Sequence, residues 1–123
     1  MFYFILVFCY SQDTIPPTLL EIHIQSSNSN HSLAYIGETI TLTVVSSEPL
    51  LSIRITIAGV NAQIKSRDNG LGLHWAGEII LVGTETGLQF TIYYYDYSGN
   101  VGQTRTETTD GSFVLLGLWL FLF

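Results

Sequence analysis

Residues 13–110 form a succession of short runs in which apolar and polar residues alternate, each run closed by turn residues. A period of two places every second side chain on one face, which suits a half-buried strand and not a helix. Leu20, Ile22 and Ile24 alternate with Glu21, His23 and Gln25. After Gly37-Glu38, the residues Ile40, Leu42 and Val44 alternate with threonines. Beyond Ser46-Ser47-Glu48-Pro49, the expected inward set is Leu51, Ile53, Ile55 and Ile57. A short segment follows with Val60, Ala62 and Ile64 on one face. Asp68-Asn69-Gly70 is a turn signal, because Asn and Gly tolerate positive φ. Leu73, Trp75, Gly77, Ile79 and Leu81 share the next face, and Leu88, Phe90, Ile92 and Tyr94 the one after. Residues 101–109 are rich in threonine and poor in apolar side chains, which predicts an edge strand guarded by Arg105 and Glu107. The spacing predicts an all-β sandwich of about seven antiparallel strands.

The length of 123 residues allows one domain. Four basic residues face ten acidic ones, for a net charge of −6. No basic cluster exists to neutralise phosphates, so nucleic acid is not expected as a partner, and the same deficit argues against anionic lipid. The acidic balance is compatible with cations, Ca²⁺ among them, and equally with simple solubility. Cys9 is the single cysteine and precedes the alternating region, so the domain has no Cys…Trp…Cys arrangement of the antibody kind.

The ends read differently from the middle. Residues 1–11 carry a short apolar stretch and then Cys9-Tyr10-Ser11, which predicts a secretory signal peptide cleaved after Ser11, although a basic n-region is missing. Asn30-His31-Ser32 is an N-glycosylation sequon in a polar loop. Residues 113–123 are uncharged, and at eleven residues fall short of the ~20 that a spanning helix needs, so no clear transmembrane span is expected. A lipid-anchor tail would need a polar spacer that this one lacks. The expected domain is therefore 12–112, with 113–123 a tail outside it, by truncation or as an artefact of the gene model.

Five motifs stand in order: Asp13 with Pro16-Pro17-Thr18-Leu19, Gly37-Glu38-Thr39-Ile40-Thr41-Leu42, Ser47-Glu48-Pro49-Leu50, Thr56-Ile57-Ala58-Gly59, and Asp96-Tyr97-Ser98-Gly99-Asn100. Together they resemble the bacterial-type Ig-like repeats of large surface and adhesin-like proteins. The resemblance implies an immunoglobulin-like β-sandwich that serves as a spacer or adhesive module. It also implies neighbouring Ig-like domains, or a surface protein or glycan, as partners.

In an immunoglobulin-type order, the start of the first strand, the second-to-third loop and the sixth-to-seventh loop share one pole. Those segments carry Asp13, Glu48, Asp96 and Asn100, whose oxygens would suit Ca²⁺, a hard cation that takes six to eight of them. The alternative is local: Asp96 and Asn100 bond to their own turn, and Glu48 to nearby backbone. No cofactor is required by either reading. His23, His31 and His74 lack metal-ligand spacing, with His23 and His74 expected to face solvent. No serine lies in a Gly-x-Ser-x-Gly elbow, and no carboxylates sit in a catalytic frame, so no enzyme is expected. Tyr93, Tyr95 and Tyr97 alternate with inward residues and form an outward stripe, either a ligand platform or a packed sheet face. Trp75 is expected in the core. The functional expectation is a non-enzymatic structural or adhesive module of a secreted or cell-surface protein. The alternatives are a glycan- or protein-binding domain, or an accessory module of a larger secreted hydrolase.

Overall fold

The computed structural model describes residues 13–117, and the expected signal peptide at 1–11 lies outside them. The described chain is all-β, with no helix and nine strands. These are β1 (Leu19–Ser26), β2 (Leu33–Ala34), β3 (Thr39–Ser46), β4 (Leu50–Ile57), β5 (Val60–Asn61), β6 (Gln63–Ser66), β7 (His74–Ile80), β8 (Phe90–Asp96) and β9 (Leu115–Leu116). One antiparallel sheet has the order β1-β3-β7-β6, and the second has the order β5-β4-β8. A parallel pair, β2 with β9, adds to these.

The alternation explains the packing. Ile22, Ile24, Ile40, Leu42, Val44 and Ile79 from the first sheet share one buried cluster with Ile53, Ile55, Ile57, Phe90, Ile92 and Tyr94 from the second. Each such side chain contributes roughly 1.5–3 kcal/mol when taken out of water. Most are β-branched and the rest include aromatics, shapes that suit the pleated surface that presents them. Gly77 lets the layers approach: a Cβ there would lie 2.9 Å from Ile55 Cδ1 and 3.1 Å from Ala62 Cβ. Trp75 is half-buried against the core, and its indole N–H donates to the Gly72 carbonyl at 2.9 Å. The Asp68-Asn69-Gly70 segment turns as expected, with Asn69 at φ 57 and Gly70 at φ 85.

Two inward sets are corrected by the structure. Leu20 is 58% exposed and Leu51 is 50% exposed, whereas Leu19 and Leu50 are buried. The register shifts between Leu19 and Glu21 in β1, and between Leu50 and Ser52 in β4. At each bulge two residues oppose one, so the parity resets and the preceding leucine turns inward.

Residues 101–109 do not form a continuous strand. They touch β8 through two isolated bridges, Tyr95 with Val101 and Ile92 with Arg105. Gly102 is buried between these bridges, where a Cβ would run into the Tyr94 ring. The expected boundary at Ser112 also falls inside the fold. Val114 belongs to the core, and Leu115 and Leu116 pair with Leu33 and Ala34. An uncharged run has no polar residues to mark which side chains face in, so this strand is silent in the sequence. The rest of the expected tail, 118–123, lies outside the described residues.

Candidate metal centre

Three separate segments bring carboxylates to one end of the molecule. Asp13 precedes β1, Glu48 lies in the loop between β3 and β4, and Asp96 ends β8. One carboxylate oxygen from each lies within 4.8 Å of the others. Asp96 is buried, while Asp13 and Glu48 are half-buried.

The loops are fastened to each other by backbone geometry. Ser47 N–H donates to the Thr18 carbonyl at 2.8 Å, and Thr18 N–H donates to Ser47 Oγ at 2.9 Å. This locks the entry segment to the β3–β4 loop. Ser46 Oγ donates to the Glu48 carbonyl at 2.6 Å, which fixes the backbone that carries Glu48. The buried pair Leu50 and Asp96 is the first rung of β4 with β8.

The turn after β8 holds Asp96. Its Oδ1 accepts from Ser98 N–H at 3.0 Å and from Asn100 N–H at 2.8 Å. Gly99 supplies the positive φ, 87°, that the turn requires. The Asn100 side-chain amide donates to Asp96 Oδ2 at 3.0 Å and to the Asp13 backbone carbonyl at 3.1 Å. Asn100 therefore ties the entry segment to the turn with its NH₂ group. Its NH₂ holds the Asp96 carboxylate and the Asp13 backbone, a task beside the oxygen-ligand role the sequence suggests.

The electrostatics separate two of the acids. Burial pushes the Glu48 carboxyl above its ordinary value, and the charges of Asp13 and Asp96 add to that. Burial also pushes Asp96 up, but hydrogen bonds from the Asn100 side chain and backbone, and from Ser98, outweigh it and hold Asp96 low. Among the described residues, the ion pairs are His23 with Asp110 and Lys65 with Glu78, both elsewhere. Three carboxylates this close repel unless a proton or a cation sits among them. Glu48, raised where Asp96 is held low, is the more readily protonated of those two. Hard oxygen donors from three segments are also the donor set that Ca²⁺ uses, with water filling its remaining positions.

Of the other expected site residues, Tyr95 and Tyr97 flank Asp96 in the chain. Tyr93, Tyr95 and Tyr97 are exposed by 44%, 39% and 66%. Arg54, the cross-strand partner of Tyr93, stacks its guanidinium 4.8 Å from the ring centroid. Asn30 is exposed in the turn between β1 and β2, where its Oδ1 accepts from Ser32 N–H at 3.1 Å. His31 contacts the Ser26 carbonyl at 2.9 Å through Nδ1, and His74 is exposed. His23 has a partner the sequence could not reveal: its Nδ1 lies 2.6 Å from Asp110 Oδ2, although the two residues are 87 apart in the chain. Among the described residues, no helix is long and apolar enough to cross a membrane. Compared with family models, curated proteins and solved structures, the chain matches none.

Proposed function

We propose that this chain is a non-enzymatic, Ig-like module of a secreted or cell-surface protein, whose entry pole is fixed by Ca²⁺. The fold part of the reading draws support from strand order. Taking β1, β3, β7 and β6 as A, B, E and D, and β4 and β8 as C and F, reproduces the two sheets of an immunoglobulin-type sandwich. Residues 101–116 then stand for strand G, bridging to β8 and afterwards pairing with β2.

The observation that carries the functional part is the convergence of Asp13, Glu48 and Asp96. A cation bound there would join the segment leading into β1 to two loops of the sandwich. In a string of modules that joint decides how stiffly one is held to the next. A rigid module with a stiffened entry is suited to spacing or adhesive display. The test is thermal unfolding at increasing Ca²⁺ and in chelator, because a ligand bound only to the folded state raises the melting temperature. No change at millimolar Ca²⁺ refutes the cation part of the proposal.

A second reading has its own support. The exposed tyrosines on β8 present rigid, amphipathic rings on one sheet face, of the kind that anchor glycan or protein ligands. A glycan array with wild type and Tyr95→Ala separates this from a purely structural role. An accessory role in a larger hydrolase would be revealed by the neighbouring coding sequence.

A further inference from the structure

β1 is an outer strand of its sheet, with β3 on one side only. Its other edge is not left open. Ile22 N–H donates to Thr109 Oγ1 at 2.9 Å, Thr109 N–H donates to the Ile22 carbonyl at 3.0 Å, and Ile24 N–H donates to Ser112 Oγ at 3.0 Å. Side-chain hydroxyls thus satisfy outward amides that a further strand would otherwise pair. Between these two attachments Gly111 turns the chain at φ 76. The one titratable link across this strap is His23 with Asp110, at 2.6 Å.

We propose that residues 109–112 act as a pH-sensitive latch on the outer edge of β1, closed by the His23–Asp110 pair. The geometry favours the doubly protonated ring. Nδ1 faces Asp110 Oδ2, and Nε2 faces Gln25 Oε1 at 3.1 Å. With Gln25 oriented this way, each ring nitrogen faces an acceptor oxygen, and the imidazolium satisfies both by donating from each. Across the ladder His23 is opposite Thr43 of β3, which carries no charge. On β1 itself the nearest charged residue is Glu21, and Asp110 is the charged group that the strap supplies.

The Asp110 hydrogen bond raises His23 above its ordinary value, against a smaller opposing effect of burial, and Gln25 adds to the rise. Asp110 is held well below its ordinary range, first by the Ser112 side chain and backbone N–H and then by His23. A His raised on folding stabilises fully below its unfolded value and loses that stabilisation as pH climbs through the folded one. The latch is therefore closed at mildly acidic pH and loosens above about 6.5. Acid does not open it until Asp110 protonates, far below. The device is independent of the carboxylate pole.

The test is amide hydrogen exchange of the full chain from pH 5 to 9, followed by NMR at Ile22 and Ile24. Leu42, in the central strand β3, is the internal reference, with the intrinsic base-catalysed rate divided out. The pair is partly exposed, so relative protection at Ile22 and Ile24 should fall about two- to five-fold as His23 deprotonates. The midpoint should coincide with the His23 ring titration in the same spectra. Asp110→Asn should abolish the step, and His23→Gln likewise. A constant ratio to Leu42 across the range overturns the latch, as does a step that survives Asp110→Asn or whose midpoint departs from that of the ring. The wild-type titration alone decides the matter if either variant fails to fold.

Discussion

Replacing Gly77 with alanine sets two effects against each other, and the contact distances decide between them. Gly77 does not have a positive φ, so its backbone conformation is open to alanine. On propensity alone, alanine in a strand interior gains roughly 0.5–1 kcal/mol over glycine. The added methyl, however, would enter a filled space. It meets Ile55 Cδ1 at 2.9 Å, and Ile55 Cβ and Ala62 Cβ at 3.1 Å. The Cδ1 could swing away, but the two Cβ atoms are fixed by the backbone of the opposite sheet and of the connection before β6. Overpacking costs about 1–3 kcal/mol, and with two backbone-fixed Cβ atoms in the way the upper half of that range applies, so the net expectation is a loss of about 1–2 kcal/mol. For a domain of this size that lowers the melting temperature by about 5–15 °C. Urea unfolding followed by circular dichroism measures the free energy, and thermal unfolding checks it. Trimming Ile55 to valine in the same chain should recover part of the loss, a coupling of ~0.5 kcal/mol or more. A Gly77→Ala protein as stable as wild type would mean that the sheets are further apart than these distances state, and the close-approach argument would fail.

The carboxylate pole predicts opposite responses in one variant. Because Glu48 is raised by burial and by the charges of Asp13 and Asp96, wild-type stability without Ca²⁺ falls as pH rises from about 4.5 through the raised value. Glu48→Gln should flatten that fall, raise the melting temperature in chelator at neutral pH, and weaken the response to Ca²⁺. A melting temperature that moves in neither medium contradicts the repulsion among the three acids. The bulge in β1 predicts that Leu20→Thr changes stability by no more than ~0.5 kcal/mol, whereas Leu19→Thr costs about 2 kcal/mol or more. Equal losses in urea unfolding would restore unbroken alternation. Tyr95→Ala and Tyr97→Ala should leave the melting temperature within a few degrees of wild type, so that any binding they abolish reads as lost contact and not lost fold.

The sequence announces regular strands well and irregular ones badly, for identifiable reasons. In β3 and β8 threonines separate the first apolar residues, which sets the period that continues through Val44-Val45 and Tyr93-Tyr94-Tyr95 and gives the buried sets Ile40-Leu42-Val44 and Phe90-Ile92-Tyr94. At Leu19-Leu20 and Leu50-Leu51 two apolar residues stand together, so the alternation cannot tell which one turns inward. Only the partner strand decides, by the two-to-one opposition of a bulge. The strand at Leu115 is hidden for the related reason that its whole neighbourhood is apolar. For the pole, the convergence of Asp13, Glu48 and Asp96 could be anticipated once a strand order was assumed. The direction of the Asn100 amide could not, because it depends on where the Asp13 carbonyl ends up. His23 and Asp110 carry no local signal at all, since nothing in either segment refers to the other.

The two bulges fall at the same end of the molecule. Both bulges lie at the first rungs of their ladders, Leu19 with Ser46 and Leu50 with Asp96, next to the end where the carboxylates meet. Two of the three buried polar or charged residues, Ser46 and Asp96, stand on those same rungs, and Ser26 lies at the other end of β1. A bulge bends its strand and strengthens the local twist, which re-aims whatever precedes it. What precedes β1 is the segment of Asp13, and what precedes β4 is the loop of Glu48. Without the reset at Leu50, unbroken alternation from Ile53 would turn that leucine to solvent. The features that depart from regular strand packing therefore place two of the three carboxylates, while the regular end of β8 and its turn place the third.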